Sequence, residues 1–117
     1  MAERRLRILI VEDEMLVAMN IEDMLLGLGH EVAGIAGRLA PALALAQEVE
    51  FDVAMLDVNL AGEPSFPVAG ILRERGIPFL FATGYGIEGI HEDYRSAPVL
   101  QKPFRSRDLR EALESAV

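Results

Sequence analysis

The residues of this chain best suited to chemistry are a few oxygen donors and one cation, each standing just after a short apolar run. Glu12, Asp13 and Glu14 follow residues 8–11, and Asp57 follows residues 51–56 with Asn59 two positions on. Thr83 and Gly84 follow residues 77–82, and Lys102 and Pro103 follow residues 99–101. Carboxylates brought together repel one another, so a positive partner must compensate. Glu12, Asp13 and Asp57 offer the hard oxygens that suit magnesium, which takes one or two carboxylates together with water and a phosphate oxygen. An ionised Asp57 beside it would be a nucleophile toward a phosphoryl group, as in aspartyl-phosphate chemistry. Phosphoryl transfer asks mainly for in-line positioning and neutralised equatorial oxygens. Magnesium, the Lys102 ammonium and the Thr83 hydroxyl each supply one partner, and Gly84 leaves an open approach for a donor.

These positions meet only if the chain folds as alternating strands and helices. Residues 8–11 read as a buried strand. From Val17 the apolar positions Val17, Ile21, Met24, Leu25 and Leu28 recur at helical spacing, and Gly27 and Gly29 mark the stop. Residues 32–36 give a weaker second strand. Leu39, Leu43 and Ala46 give a second helix, with Pro41 tolerable only near its first turn. Residues 51–56 form the third strand, Val68, Ile71 and Leu72 a third helix stopped by Gly76, and residues 77–82 the fourth strand. Residues 84–98 hold three glycines, so any helix there is short or mobile. Residues 99–101 are a brief fifth strand. Leu109, Ala112, Leu113 and Ala116 give a last helix, with Ser106 as its expected N-cap. The fold class is therefore α/β: a flavodoxin-like (βα)5 doubly wound parallel sheet of five strands, in the order 2-1-3-4-5. In such sheets ligands bind at the carboxyl ends of the strands, which is where all the candidate residues stand.

Composition narrows the function further. With 117 residues the expectation is one domain, 1–117, and an apolar share of 51% suffices for a core. Nineteen acids against eleven cations give a net charge of -8, a poor match for a nucleic-acid backbone. Ten of those cations are arginines, and Lys102 is the sole lysine. The absence of cysteine excludes disulfides and thiolate metal sites. No apolar run approaches the ~20 residues of a membrane span, and the first residues are not a signal peptide. The expectation is a cytoplasmic domain with neither nucleic acid nor membrane as partner.

The stretches ILIVEDE, MLDVNLAG, FATGYG and LQKPF, in this order and over essentially the whole chain, resemble a response-regulator receiver domain of two-component signalling. The resemblance implies that Asp57 is the phosphoacceptor and that Asp13 binds magnesium directly, with Glu12 helping through water. It further implies that Asn59 binds the metal through its backbone carbonyl, and that Thr83 and Lys102 are the switch hydroxyl and the phosphate-binding lysine. The Lys102–Pro103 bond is similar to one that is cis in this family. The common aromatic three residues before the lysine is absent: Val99 stands there. The stretch PFLFATGYG resembles instead an alphaproteobacterial group of single-domain receivers with a Phe-Ala-Thr-Gly motif. That group implies as partners a sensor histidine kinase, often of the HWE class and often in general stress signalling, or a histidine phosphotransfer protein. Tyr85, two residues after Thr83, is then the candidate for part of the gating.

The resulting expectation is a stand-alone response regulator and not an enzyme. It would take a phosphoryl group on Asp57, and its output would be contact with an unknown downstream protein or service as a phosphate sink or shuttle. The alternatives are an aspartyl-phosphate phosphatase or phosphotransferase, a receiver excised from a longer regulator or hybrid kinase, and an interaction module that is never phosphorylated. The haloacid-dehalogenase pattern needs an Asp two residues after the nucleophile, where Asn59 stands, and this disfavours the phosphatase. Ordinary roles account for other residues: Glu14 is a first-turn acid, and Phe79 and Phe81 are packing residues. Met15, Met19 and Met24 read as packing residues of the first helix, His30 and His91 as surface residues, and Arg105, Arg107 and Arg110 as a solvated face.

Overall fold

The computed structural model describes residues 4–84 and 89–117. Five strands, β1 (Arg7–Val11), β2 (Glu31–Ala36), β3 (Val53–Asp57), β6 (Phe79–Thr83) and β7 (Val99–Gln101), form one parallel sheet in the order β2-β1-β3-β6-β7. Counting only these strands, the order is the expected 2-1-3-4-5. The short strands β4 (Asn59–Leu60) and β5 (Glu63–Pro64) pair with each other as an antiparallel hairpin between β3 and the third helix. The helices are α1 (Met15–Gly27), α2 (Leu39–Glu48), α3 (Phe66–Arg75) and α4 (Ser106–Ala116). Between β6 and β7 the described residues hold a 3-10 turn, Glu92–Tyr94, where a (βα)5 chain would carry its fourth α-helix.

The sheet is buried on both faces because successive side chains of a strand point to opposite sides. On one face Leu9, Val11, Ala54, Leu56, Phe79 and Phe81 pack against Ala42 and Ala46 of α2 and Val68, Ala69 and Leu72 of α3. On the other, Ile8, Ile10, Val53, Met55, Leu80 and Ala82 pack against Ala18, Ile21 and Leu25 of α1 and Leu109 and Leu113 of α4. This is why residues 8–11 and 79–82 are unbroken apolar runs.

The ends of the elements follow local chemistry. Gly76 adopts the left-handed conformation at φ 71 and closes α3. Pro67 sits in the first turn of α3, where a missing N–H is harmless. The last helix is capped one residue earlier than expected. Arg105 is its N-cap, its backbone N–H donating to the Asp108 carboxylate at 3.0 Å, and Ser106 is the first helical residue.

His30 corrects the surface reading. It is buried at the amino-terminal end of the sheet, where its Nδ1 accepts the Leu6 backbone N–H at 3.1 Å. Met15 and Met19 correct the packing reading: with Leu16 they lie exposed on α1, at 57%, 52% and 82%, while Met24 packs against the core as expected.

Candidate functional site

Four strand ends build the site. β1 delivers Glu12 and Asp13, β3 ends in Asp57, β6 ends in Thr83, and β7 leads into Lys102. The Lys102 backbone N–H donates to the Thr83 carbonyl at 2.9 Å, which ties the last two ends together. Glu12, Asp13 and Asp57 each bring a carboxylate oxygen within 4.8 Å of the others. The Lys102 ammonium lies 2.5 Å from Glu12 Oε1 and 3.5 Å from Asp57 Oδ2. Glu12 is 1% exposed, and its second oxygen accepts the Glu14 N–H at 3.1 Å. Asp13 and Asp57 face an open cleft that Asn59, Gly62, Gly84 and Lys102 also line. The Lys102–Pro103 bond is cis.

The family model of the response regulator receiver domain matches residues 8–114. The chain belongs to this family. As a receiver it is 34% identical over 115 residues to the transcriptional regulatory protein PdtaR of Mycobacterium tuberculosis, covering 95% of this chain and 56% of PdtaR. It is 32% identical over 121 residues to the phyllosphere-induced regulator PhyR of Methylorubrum extorquens, covering 99% of this chain and 45% of PhyR. The receiver thus spans about half the length of these curated relatives. Among solved structures, SdrG from Sphingomonas melonis Fr1 superposes with a TM-score of 0.88 at 44% identity, covering 98% of both chains. PhyR from Brucella abortus superposes with a TM-score of 0.85 at 32% identity, covering 97% of this chain and 48% of that one. Receivers are signalling domains that histidine kinases phosphorylate.

The charges of this receiver's pocket act on one another. Burial, then the neighbouring Glu12 charge, pushes the Asp57 carboxyl up to about 7, against the opposing pull of Lys102. Burial also works to raise Asp13, but the Ala61 amide and hydrogen bonds with Asp57 and Glu12 outweigh it and hold the group below its ordinary value. Lys102 is displaced upward: burial opposes its charge, and the Glu12 and Asp57 carboxylates more than compensate. One carboxyl prone to hold a proton beside two acids and one ammonium marks a place short of positive charge. The donor set is all oxygen and anionic, so it fits a hard divalent cation. Receivers generally bind magnesium at such an acidic pocket.

The fold brings Glu12, Asp13, Asp57, Asn59, Thr83 and Lys102 to one edge of the sheet. Thr83 is 1% exposed. Asn59 uses its side chain locally, its Oδ1 accepting the Gly62 N–H at 2.7 Å. Val99 lies half-buried against the core where the common aromatic would stand. The switch candidate Tyr85 lies outside the described residues. Two features had no place in the sequence reading. One is the β4–β5 hairpin, whose Ala61 N–H donates to Asp13 Oδ2 at 3.0 Å. The other is Tyr94, stacked on Phe66 at 5.7 Å with the Arg73 guanidinium 4.5 Å above its ring. The aromatic at position 94 was visible in the sequence, but nothing there paired it with α3.

Proposed function

We propose that this receiver takes a phosphoryl group from a kinase histidine onto Asp57 and signals by the resulting change in charge. The observation that carries this is the meeting of Asp57 with Glu12, Asp13 and Lys102 at the carboxyl edge of the sheet. An Asp57 oxygen attacks phosphorus, the P–O bond forms, and the P–N bond to the donor imidazole breaks as that histidine takes back the electron pair. Lys102 offers its ammonium to one phosphoryl oxygen and Thr83 its hydroxyl to another, while Gly84 keeps the approach unobstructed. Asp13 and Asp57 would hold magnesium directly, Glu12 through water and Asn59 by its backbone carbonyl. Bound there, the ion supplies charge neutralisation for the third phosphoryl oxygen. The similarity to SdrG along its whole length supports a stand-alone regulator whose output is contact with another protein. The sensor histidine kinase partner, of the HWE class or acting through a histidine phosphotransfer protein, and the cytoplasmic location are part of the same reading. No helix among the described residues is long and apolar enough to cross a membrane.

The test is incubation with magnesium and acetyl phosphate, with intact-mass detection of the adduct. Wild type is expected to gain one phosphoryl group and Asp57→Asn none. An unlabelled wild type beside a labelled control receiver overturns the reading, and an adduct on Asp57→Asn overturns the assignment of the acceptor.

A further inference from the structure

We infer that the β4–β5 hairpin is a positioning element of the cation site, acting through the Ala61 backbone amide on the Asp13 carboxylate. This rests on the cation site proposed above. The two residues at the hairpin tip both have positive φ, 52 for Ala61 and 94 for Gly62. Two left-handed residues in succession make the tight turn that matches the twist of antiparallel strands. Glycine takes that conformation freely, whereas the alanine Cβ disfavours it. The surroundings nonetheless hold Ala61 there. Asn59 Oδ1 accepts the Gly62 N–H at 2.7 Å, Asn59 and Leu60 pair with Pro64 and Glu63, and Leu60 is buried in the core. What this backbone gains is direction: the Ala61 N–H points at Asp13 Oδ2, 3.0 Å away and 48 residues distant in sequence.

Asp13 is exposed, and every restraint on its carboxylate lowers the ordering cost that would oppose cation binding. With one oxygen accepting the Ala61 amide, the carboxylate is held at the cleft that Asp13 lines. Hydrogen-bond partners that hold a ligating carboxylate in this way are typically worth about 10–100-fold in metal affinity. The same hairpin occupies the Asn59 side chain and fixes the Asn59 main chain by pairing, which leaves its carbonyl as the group to offer a cation. Ala61 is thus a positioning residue whose side chain is incidental and whose backbone conformation is the functional quantity.

The test is Mn2+ binding, followed by electron paramagnetic resonance, on wild type, Ala61→Pro, Ala61→Gly and Gly62→Val. None of these replaces a carboxylate. Ala61→Pro removes the amide proton. Ala61→Gly, the conservative variant, keeps it and favours the turn. Gly62→Val disfavours the turn at a tip where an added Cβ meets nothing within 4 Å. Ala61→Pro and Gly62→Val are expected to weaken Mn2+ about tenfold or more, with Ala61→Gly restoring wild-type affinity. Wild-type affinity in Ala61→Pro overturns the proposal, as does an Ala61→Gly protein as weak as Ala61→Pro. If circular dichroism shows Ala61→Pro to be unfolded, Gly62→Val decides, and its binding at wild-type affinity overturns the proposal. A wild type that binds no Mn2+ removes the cation site itself, and this role with it.

Discussion

At the scale of single residues, Asp57 is the group whose chemistry the fold changes most. Its carboxyl is raised to about 7 by burial and by Glu12. A carboxyl raised in the folded state holds a proton that the unfolded chain would release. Its contribution to stability is complete below its ordinary value of 3.8 and is lost as the pH climbs through about 7. The metal-free protein should therefore lose stability over that window, and Asp57→Asn should remove this part of the loss in urea titrations at several pH values. Carbon NMR of the Asp57 carboxyl should show titration near neutrality without metal and a shift to lower pH with magnesium, because a cation favours the charged form. An ordinary titration near 4 in metal-free protein would contradict the pocket as described. Lys102 is the second residue with a sharp expectation. Lys102→Ala leaves Glu12 buried without its ion-pair partner, which should cost roughly 3 kcal/mol in urea unfolding. The types Glu, Asp, Thr and Lys at strand ends were legible in the sequence because each carries its chemistry in the side chain. Ala61 was not, because its contribution is a backbone amide that nearly every residue has.

At the scale of elements, α1 carries more than packing. Its inner face, Ala18, Ile21 and Leu25, is buried, while Met15, Leu16 and Met19 stand exposed in the turns that begin directly after Glu14. Glu14 lines the cleft, so this apolar face is continuous with the approach to Asp57. A protein donor that presents a phosphohistidine must cover that rim, whereas a small donor need not. Replacing Leu16 and Met19 together by Glu should slow transfer from a phosphorylated kinase about tenfold or more, given what burial of two large apolar side chains is worth. The rate of labelling by acetyl phosphate should not change, and equal slowing of both donors would count against the docking role. Helical spacing in the sequence did not settle which methionines turn inward: Met24 does, whereas Met15 and Met19 lie on the outer side. The 84–98 stretch was the least legible element. Its residues 93 and 94 are held by tertiary contact, with Tyr94 packed on Phe66, Phe79 and Phe81 and Arg73 Nη2 donating to the Asp93 carbonyl at 2.9 Å.

At the scale of the whole molecule, site and core are coupled through the strands. Phe81 is fully buried, pairs with Leu56 across β3 and β6, and stands two residues before Thr83. Phe81→Ala should cost about 3–5 kcal/mol in denaturant unfolding, a large part of a domain's usual ~5–15 kcal/mol. A loss below about 1 kcal/mol would mean that this aromatic cluster does not hold the sheet as described. The sequence alone determined the order along the chain of the five sheet strands and the four helices, since apolar runs and helical periods are local patterns. It also determined which side chains end the strands, since strand ends follow from the runs themselves. Tertiary structure decided the rest. It buried His30 on the Leu6 amide, turned two methionines outward, and set Lys102 on Glu12 as well as Asp57. It also aimed the Ala61 amide at Asp13. Each of these depends on distances between residues far apart in the chain, and no local pattern encodes them.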